Sequence, residues 1–330
     1  MKFYKKNIKK ITNNAQSVLE YKKSKEAIME VFELSTMQRT EIKQNTIVAL
    51  GTFDGCHIGH ASVFQNTFYE AKKKGVKSVV YTFDSLVRQG KKSLFTLEER
   101  IKHIKKYGID YIAIESFNNV KNMSGEEFFN NILKGELKSI GACCGFNYRF
   151  GNGASLGCED LKRLYEKIEG SVIISPEITA DKTIISSTYL RKLIENGEVE
   201  LASRYMPPYP VYAEVIEGKK LGRQIGFPTI NQKIPKSKVV PKHGVYITEV
   251  YIGENAMPAI TNVGTRPTVD GDNENINIES YILDFNGNLY LSYVNVVFRK
   301  FLRSERKFDS INELKKQISE DLNEAKKYFK

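Results

Sequence analysis

Two hydrophobic rhythms, one after the other, limit what this chain can fold into. From residue 46, short β-rich runs alternate with stretches of helical length. The runs are TIVAL (46–50), SVVYTF (78–83), YIAI (111–114), IGACCGF (140–146) and VIIS (172–175), and the helical stretches are 59–73, 96–107, 124–134 and 157–169. Strand and helix in alternation predict a parallel sheet with covering helices. Such sheets take ligands at the carboxyl ends of their strands. The rhythm changes at MPPYP (206–210), a Pro-rich break that reads as a linker. Beyond it VYAEVIEG, GVYITEVYIG, INIESYILDF and NLYLSYVNVVF read as alternating or aromatic strands between Gly and Asn turns, with DFNGN (284–288) the clearest hairpin signal. A Lys/Glu-rich helix is expected over about 309–328. The expectation is therefore α/β plus all-β. A basic N-terminal extension occupies 1–45, a parallel-sheet domain 46–206, and an antiparallel barrel with a C-terminal helix 207–330.

At 330 residues, each half can bury a core of its own. No apolar run approaches the roughly 18 residues of a membrane span, and the basic N-terminus lacks a signal peptide's apolar centre. A cytoplasmic protein with no membrane partner is expected. The net charge is +11, and the first 50 residues hold ten Lys+Arg against five Asp+Glu. A basic arm can touch nucleic acid. A Lys-rich tail that only keeps the chain soluble accounts for it more simply, as does handling of phosphorylated small molecules. Nucleic acid is not expected as a partner, and a homo-oligomer stays open. Cys56, Cys143, Cys144 and Cys158 form no C-x-x-C pair and have no His at zinc-site spacing, so they suit a reducing compartment without a thiolate metal site.

The sharpest local signal is TIVALGTFDGCHIGHASVF. A strand ends, Gly51, Phe53 and Asp54 fall in a turn, and His57, Gly59 and His60 open a helix. Glycines let backbone approach a phosphate, and the free N–H groups of a helix start favour an anion. Two imidazoles there can donate hydrogen bonds to charge developing on an α-phosphate. A pair of ordinary buried histidines is the plainer account. It is weakened because two of only four histidines sit at this strand-to-helix switch. Downstream, ISSTYLR (185–191) offers the Ser187 and Thr188 hydroxyls and the Arg191 guanidinium to pyrophosphate, or else a plain helix cap. GFNYRFGNGASLG (145–157) fails the dinucleotide spacing, and Asn147 with Arg149 at a strand end can bind substrate or lie in a surface loop.

The second signal is EGKKLGRQIGFPTIN (217–231). Gly218, Gly222 and Arg223 belong to a basic, Gly-rich loop able to cradle phosphates. Thr229 and Asn231 supply neutral oxygens suited to Mg²⁺ already held by ATP phosphates. A carboxylate is needed to take a proton from an attacking hydroxyl. Glu279 is the candidate, on a strand whose Ile278, Ser280 and Ile282 point the other way. A solvent-facing strand carboxylate is the alternative.

From about residue 46 onward these landmarks, with NVGTRPTV (262–269), IESYILDF and LRSERKFDS (302–310), resemble the prokaryotic bifunctional FAD synthetases in content and order. The resemblance implies a Rossmann-like nucleotidylyl transferase domain that joins AMP from ATP to FMN. It further implies a β-barrel domain that phosphorylates riboflavin. His57 and His60 would stabilise the transferred phosphate, Asn147 would contact the flavin, and Ser187, Thr188 and Arg191 would hold ATP phosphates. Thr229 and Asn231 match the Mg-ATP motif, and Glu279 the general base. Riboflavin, FMN, FAD and ATP are the implied substrates and products. Two departures stand out. TFDSLV (82–87) lacks the family's Pro-His-Pro segment, and MPPYP lacks its inter-domain arginine. A riboflavin kinase with a weakened adenylyl site is the nearest alternative. A nucleic-acid-binding protein and a flavin-binding regulator without turnover are the others.

Overall fold

The computed structural model describes residues 29–34, 41–85, 92–218, 221–265 and 276–330. They form two compact units. One holds the described residues up to 85 together with Leu97–Ser187, and the other holds 92–96 and Thr188–Lys330.

The first unit carries β1 (Glu30–Glu33), β2 (Thr46–Leu50), β3 (Lys77–Phe83), β4 (Tyr111–Glu115), β5 (Ser139–Gly145) and β6 (Ser171–Ser175) in the order β1-β4-β3-β2-β5-β6. Every pairing is parallel. Between the strands lie α1 (Ile58–Lys74), α2 (Leu97–Ile104), a helical Gly125–Glu127 that runs into the π-helical Phe128–Glu136, and α3 (Cys158–Glu166). The inner strands β2 to β5 are mainly apolar because both faces are covered, whereas β1 at the sheet edge exposes Glu30, Val31 and Glu33. Val48, Leu50, Val79, Tyr81, Ala142 and Cys144 face one layer with Phe128, Phe129, Leu133, Leu161 and Tyr165. Alternate residues such as Ile47, Ala49, Val80 and Cys143 point the other way and are equally buried. This is the sheet expected from the sequence. β1 is an addition, since it comes from the segment read as an N-terminal extension and pairs with β4. The strand order reverses between β2 and β5, which opens a crevice beyond their carboxyl ends.

The second unit contains β9 (Pro210–Glu214), β10 (Ile230–Lys233), β11 (Gly244–Ile252), β12 (Asn255–Thr265), β13 (Ile276–Ile282) and β14 (Tyr293–Arg303). A small hairpin in the first unit supplies β7 (Thr179–Ala180) and β8 (Thr183–Ile184). The six strands follow the order β10-β13-β12-β11-β14-β9, all antiparallel. The two ends of the sheet meet. Ile216 N–H donates to Asn231 O at 2.8 Å, and Gln232 Nε2 donates to Ala213 O and Val294 O at 2.6 and 3.0 Å. Buried hydroxyls of Thr248, Thr261 and Ser280 bond one another across three strands at 2.7 and 2.8 Å. The outer face of β11 and β12 buries Val245 and Ile260 against Ala325 of the C-terminal helix α5 (Ile311–Tyr328). Preceding it in the chain is α4 (Ser187–Glu195). Ser310 caps α5 by accepting from Glu313 N–H at 3.2 Å.

The DFNGN hairpin is not formed. β13 pairs with β12 and β10, while β14 pairs with β11 and β9, so the turn at 284–288 launches a crossover. A turn residue sets local direction, but the partner strand is chosen by the whole barrel's register. The hairpin lies instead at β11–β12, where Ile252 faces Asn255 across Gly253 and Glu254, and Gly253 takes a φ of +63°.

Candidate active sites

In the first unit the chain leaves β2 into a turn of unusual backbone. Phe53 takes a left-handed φ of 53°, and Gly51 has no side chain because a Cβ there would lie 2.9 Å from the Phe53 ring. That geometry folds Phe53 back onto Phe64 and His60, at centroid distances of 4.7 and 5.4 Å. His57 is the N-cap of α1, and its Nδ1 accepts from Gly59 N–H at 3.1 Å. With Nδ1 as acceptor, the proton of neutral His57 sits on Nε2, which becomes a donor. The His57 and His60 rings stack at 3.6 Å. Burial pushes His57 down to about 4. His60 lies well below its usual value through burial first, then the nearby His57 and Arg100. The pair is neutral, and it sits at the start of a helix whose dipole favours an anion.

Beyond the strand ends lies a cavity of about 700 Å³. Gly51, Phe53 and His60 border it, as do Asn147 and the rings of Tyr81, Phe83, Phe117 and Tyr148. Asn147 is exposed at its rim. Arg149 points its guanidinium back into the loop, with Nε donating to Ala154 O at 3.0 Å. Ser187 Oγ donates to Asp54 O at 2.9 Å, a bond within the first unit. Thr188 and Arg191 follow on α4 and pack with the second unit, where Arg191 Nε donates to Lys92 O at 2.9 Å.

In the second unit the register aligns three polar side chains on one face. Glu279 stands directly opposite Asn231 on β10 and Asn262 on β12. A cavity of about 250 Å³ lies against this face, bordered by Thr229, Asn262, Glu279, Arg306 and Phe308. Gly222 and Gly218 hold their places because side chains would not fit. A Cβ at Gly222 would collide with Phe227 O, and one at Gly218 with the Asn231 amide. Arg223 is exposed on the short helix Leu221–Gln224. Asn231 Oδ1 is buried without a hydrogen-bond partner. Arg303 makes a forked ion pair with Asp321 of α5 at 2.7 to 3.1 Å, which fixes the helix against the cavity wall.

Residues 39–189 match the family model described as FAD synthetase, and 206–329 match that described as riboflavin kinase. A bifunctional riboflavin kinase/FMN adenylyltransferase of Bacillus subtilis is 32% identical over 301 residues, spanning 88% of this chain and 94% of that protein. The chain belongs to the bifunctional riboflavin kinase/FMN adenylyltransferase family. Enzymes of the same name from Listeria monocytogenes and Escherichia coli match at 31% and 29% identity, over 90% and 87% of this chain and 96% and 94% of theirs. A solved structure described as a macrolide-efflux protein from Streptococcus pneumoniae agrees at a TM-score of 0.80 and 29% identity, covering 90% of this chain and 98% of that one. Among the described residues, no helix here is long and apolar enough to cross a membrane.

Against this family background, the residue that sequence reasoning missed is Arg100. It is buried on α2, and its guanidinium donates to Thr52 O, Thr82 Oγ1 and Phe83 O at 3.0, 2.8 and 2.7 Å. It thus holds the ends of β2 and β3 in place beneath the histidines. In LEERIKHI nothing distinguishes it from a solvent-facing helix charge. The end of the TFDSLV segment, Leu86 and Val87, lies outside the described residues, as do 266–269 of NVGTRPTV.

Proposed function

We propose that the chain uses both sites in sequence. It phosphorylates riboflavin to FMN with ATP, and then transfers AMP from a second ATP to FMN, releasing pyrophosphate and FAD. In the first unit, the FMN phosphate oxygen attacks the α-phosphorus of ATP and the bond to the β-phosphate oxygen breaks. His57 Nε2–H and His60 donate to the charge that develops on the α-phosphate. Ser187, Thr188 and Arg191 hold the phosphates, with Gly51, Phe53, Asp54 and Gly59 shaping the turn, and Asn147 touches the flavin. The observation that carries this reading is the neutral stacked pair at 3.6 Å, placed where β2 ends beside a cavity of about 700 Å³.

In the barrel, Glu279 takes the proton of the ribityl 5′-hydroxyl as its oxygen attacks the γ-phosphorus and ADP leaves. Gly218, Gly222 and Arg223 belong to the loop that receives the phosphates. The orphaned, buried Asn231 Oδ1 fits a cation, and with Thr229 it would hold Mg²⁺. When bound, Mg²⁺ supplies neutralisation of phosphate charge. The kinase-only alternative is disfavoured, because relatives named for both activities match across both regions. The cytoplasm is the compartment that fits these substrates. Two substitutions separate the sites. His57→Ala removes FAD formation and leaves FMN formation, whereas Glu279→Ala yields no product from riboflavin yet still makes FAD from added FMN. A folded variant that loses both activities contradicts the two-site assignment.

A further inference from the structure

Two cysteines stand together where the chemistry above uses neither. Cys144 Sγ and Cys158 Sγ are 3.9 Å apart, and both are free thiols. Cys144 is buried near the end of β5, and Cys158, half-buried, is the first residue of α3. Cys143 lies on the opposite face of the sheet and Cys56 is buried beneath the turn after β2, so neither competes for this partner. Between the pair runs 145–157, which supplies Asn147, Tyr148 and Phe150 to the border of the larger cavity. The Cys158 thiol lies 3.3, 3.4 and 3.8 Å from the carbonyl oxygens of Gly145, Phe146 and Tyr148, and so pins the base of that segment.

We propose that Cys144 and Cys158 form a reversible thiol–disulfide pair, oxidised by low-molecular-weight disulfides, and that joining them slows adenylyl transfer. The effect on transfer rests on the function proposed above, but the pairing itself does not. The Cys158 thiolate attacks one sulfur of the external disulfide and releases one small thiol. Cys144 then loses its proton and displaces the second small thiol from Cys158. The protein gives up two hydrogens and two electrons, and the external disulfide becomes two thiols. A disulfide bond is about 2.05 Å long, so sulfurs now 3.9 Å apart must close by nearly 2 Å. Cys158 also loses the hydrogen that it shares with the loop carbonyls. Both changes displace the segment carrying Asn147 and Tyr148, and a shift of about 1 Å at a substrate-positioning group costs up to about 100-fold in rate.

The test treats the full-length protein with oxidised glutathione, then measures intact mass and both activities. The expected result is a mass lower by two hydrogens, mapped by peptide analysis to Cys144–Cys158. FMN adenylylation should drop about tenfold or more, riboflavin phosphorylation should be unchanged, and dithiothreitol should restore the loss. Cys158→Ser should keep adenylylation under oxidant. Absence of the linked peptide in the oxidised wild type overturns the pairing without any variant having to fold. A linked peptide with adenylylation unchanged overturns the coupling to the site. Reduced wild type that makes no FAD from FMN would instead count against the functional reading, and the mass result would still decide the pairing.

Discussion

His57 and His60 stack at 3.6 Å, and burial keeps both rings in the neutral form, each with a single N–H. The folded value for His57, about 4, lies below the ordinary 6.5 of a histidine in an unfolded chain. Between those pH values the unfolded chain binds more protons than the folded one, so stability rises with pH across the window. His57 alone contributes about 3 kcal/mol, present in full above pH 6.5 and lost as pH falls to about 4. Thermal unfolding followed between pH 7 and pH 4 should therefore steepen in its pH dependence below 6.5, and His57→Asn should flatten it. Parallel profiles for wild type and variant would contradict the neutral pair. Arg100 gives a second residue-scale expectation. Arg100→Met removes the donor to Thr52 O, Thr82 Oγ1 and Phe83 O and should destabilise the protein by about 3 kcal/mol in urea titration. An unchanged midpoint would show that those acceptors find other partners. The histidines were legible in the sequence because a strand-to-helix switch and a glycine between them mark their setting. Arg100 was not, because its burial is decided by which strand ends α2 packs upon.

At the scale of elements, the parallel strands β2 to β6 were readable to within a residue or so, since runs buried on both faces are largely apolar. β2 and β6 fell at 46–50 and 171–175, against expected runs at 46–50 and 172–175. β1, β10 and β12 were not anticipated. INQK is too short and too polar to announce a strand, yet its Gln232 is fully buried where the barrel closes. The glycines before it follow from the same closure. Gly218 packs on the Asn231 amide, so Gly218→Ala should lower riboflavin phosphorylation at least about tenfold by misplacing Asn231. FAD formation from supplied FMN should be unaffected. Normal kinase rates in that variant would mean that Asn231 tolerates displacement and does not bear on the phosphates.

For the whole molecule, the order of landmarks along the chain carried the reading further than any one of them. The turn at 284–288 shows the limit. Its residues do form a turn, but only the closed barrel decides that β13 and β14 are not partners. The segment beginning TFDSLV raised the possibility of a kinase whose adenylyl site has failed. The intact turn after β2, with its paired histidines and adjoining cavity, supports a working site despite that departure. The decisive measurement is a product assay on the purified chain with ATP and Mg²⁺. It begins once from riboflavin and once from FMN, with flavins separated by chromatography and pyrophosphate counted. Two working sites predict FAD from both starts, with one pyrophosphate released for each FAD. FMN as the only product from riboflavin, with supplied FMN left unchanged, would contradict the account and leave a kinase alone.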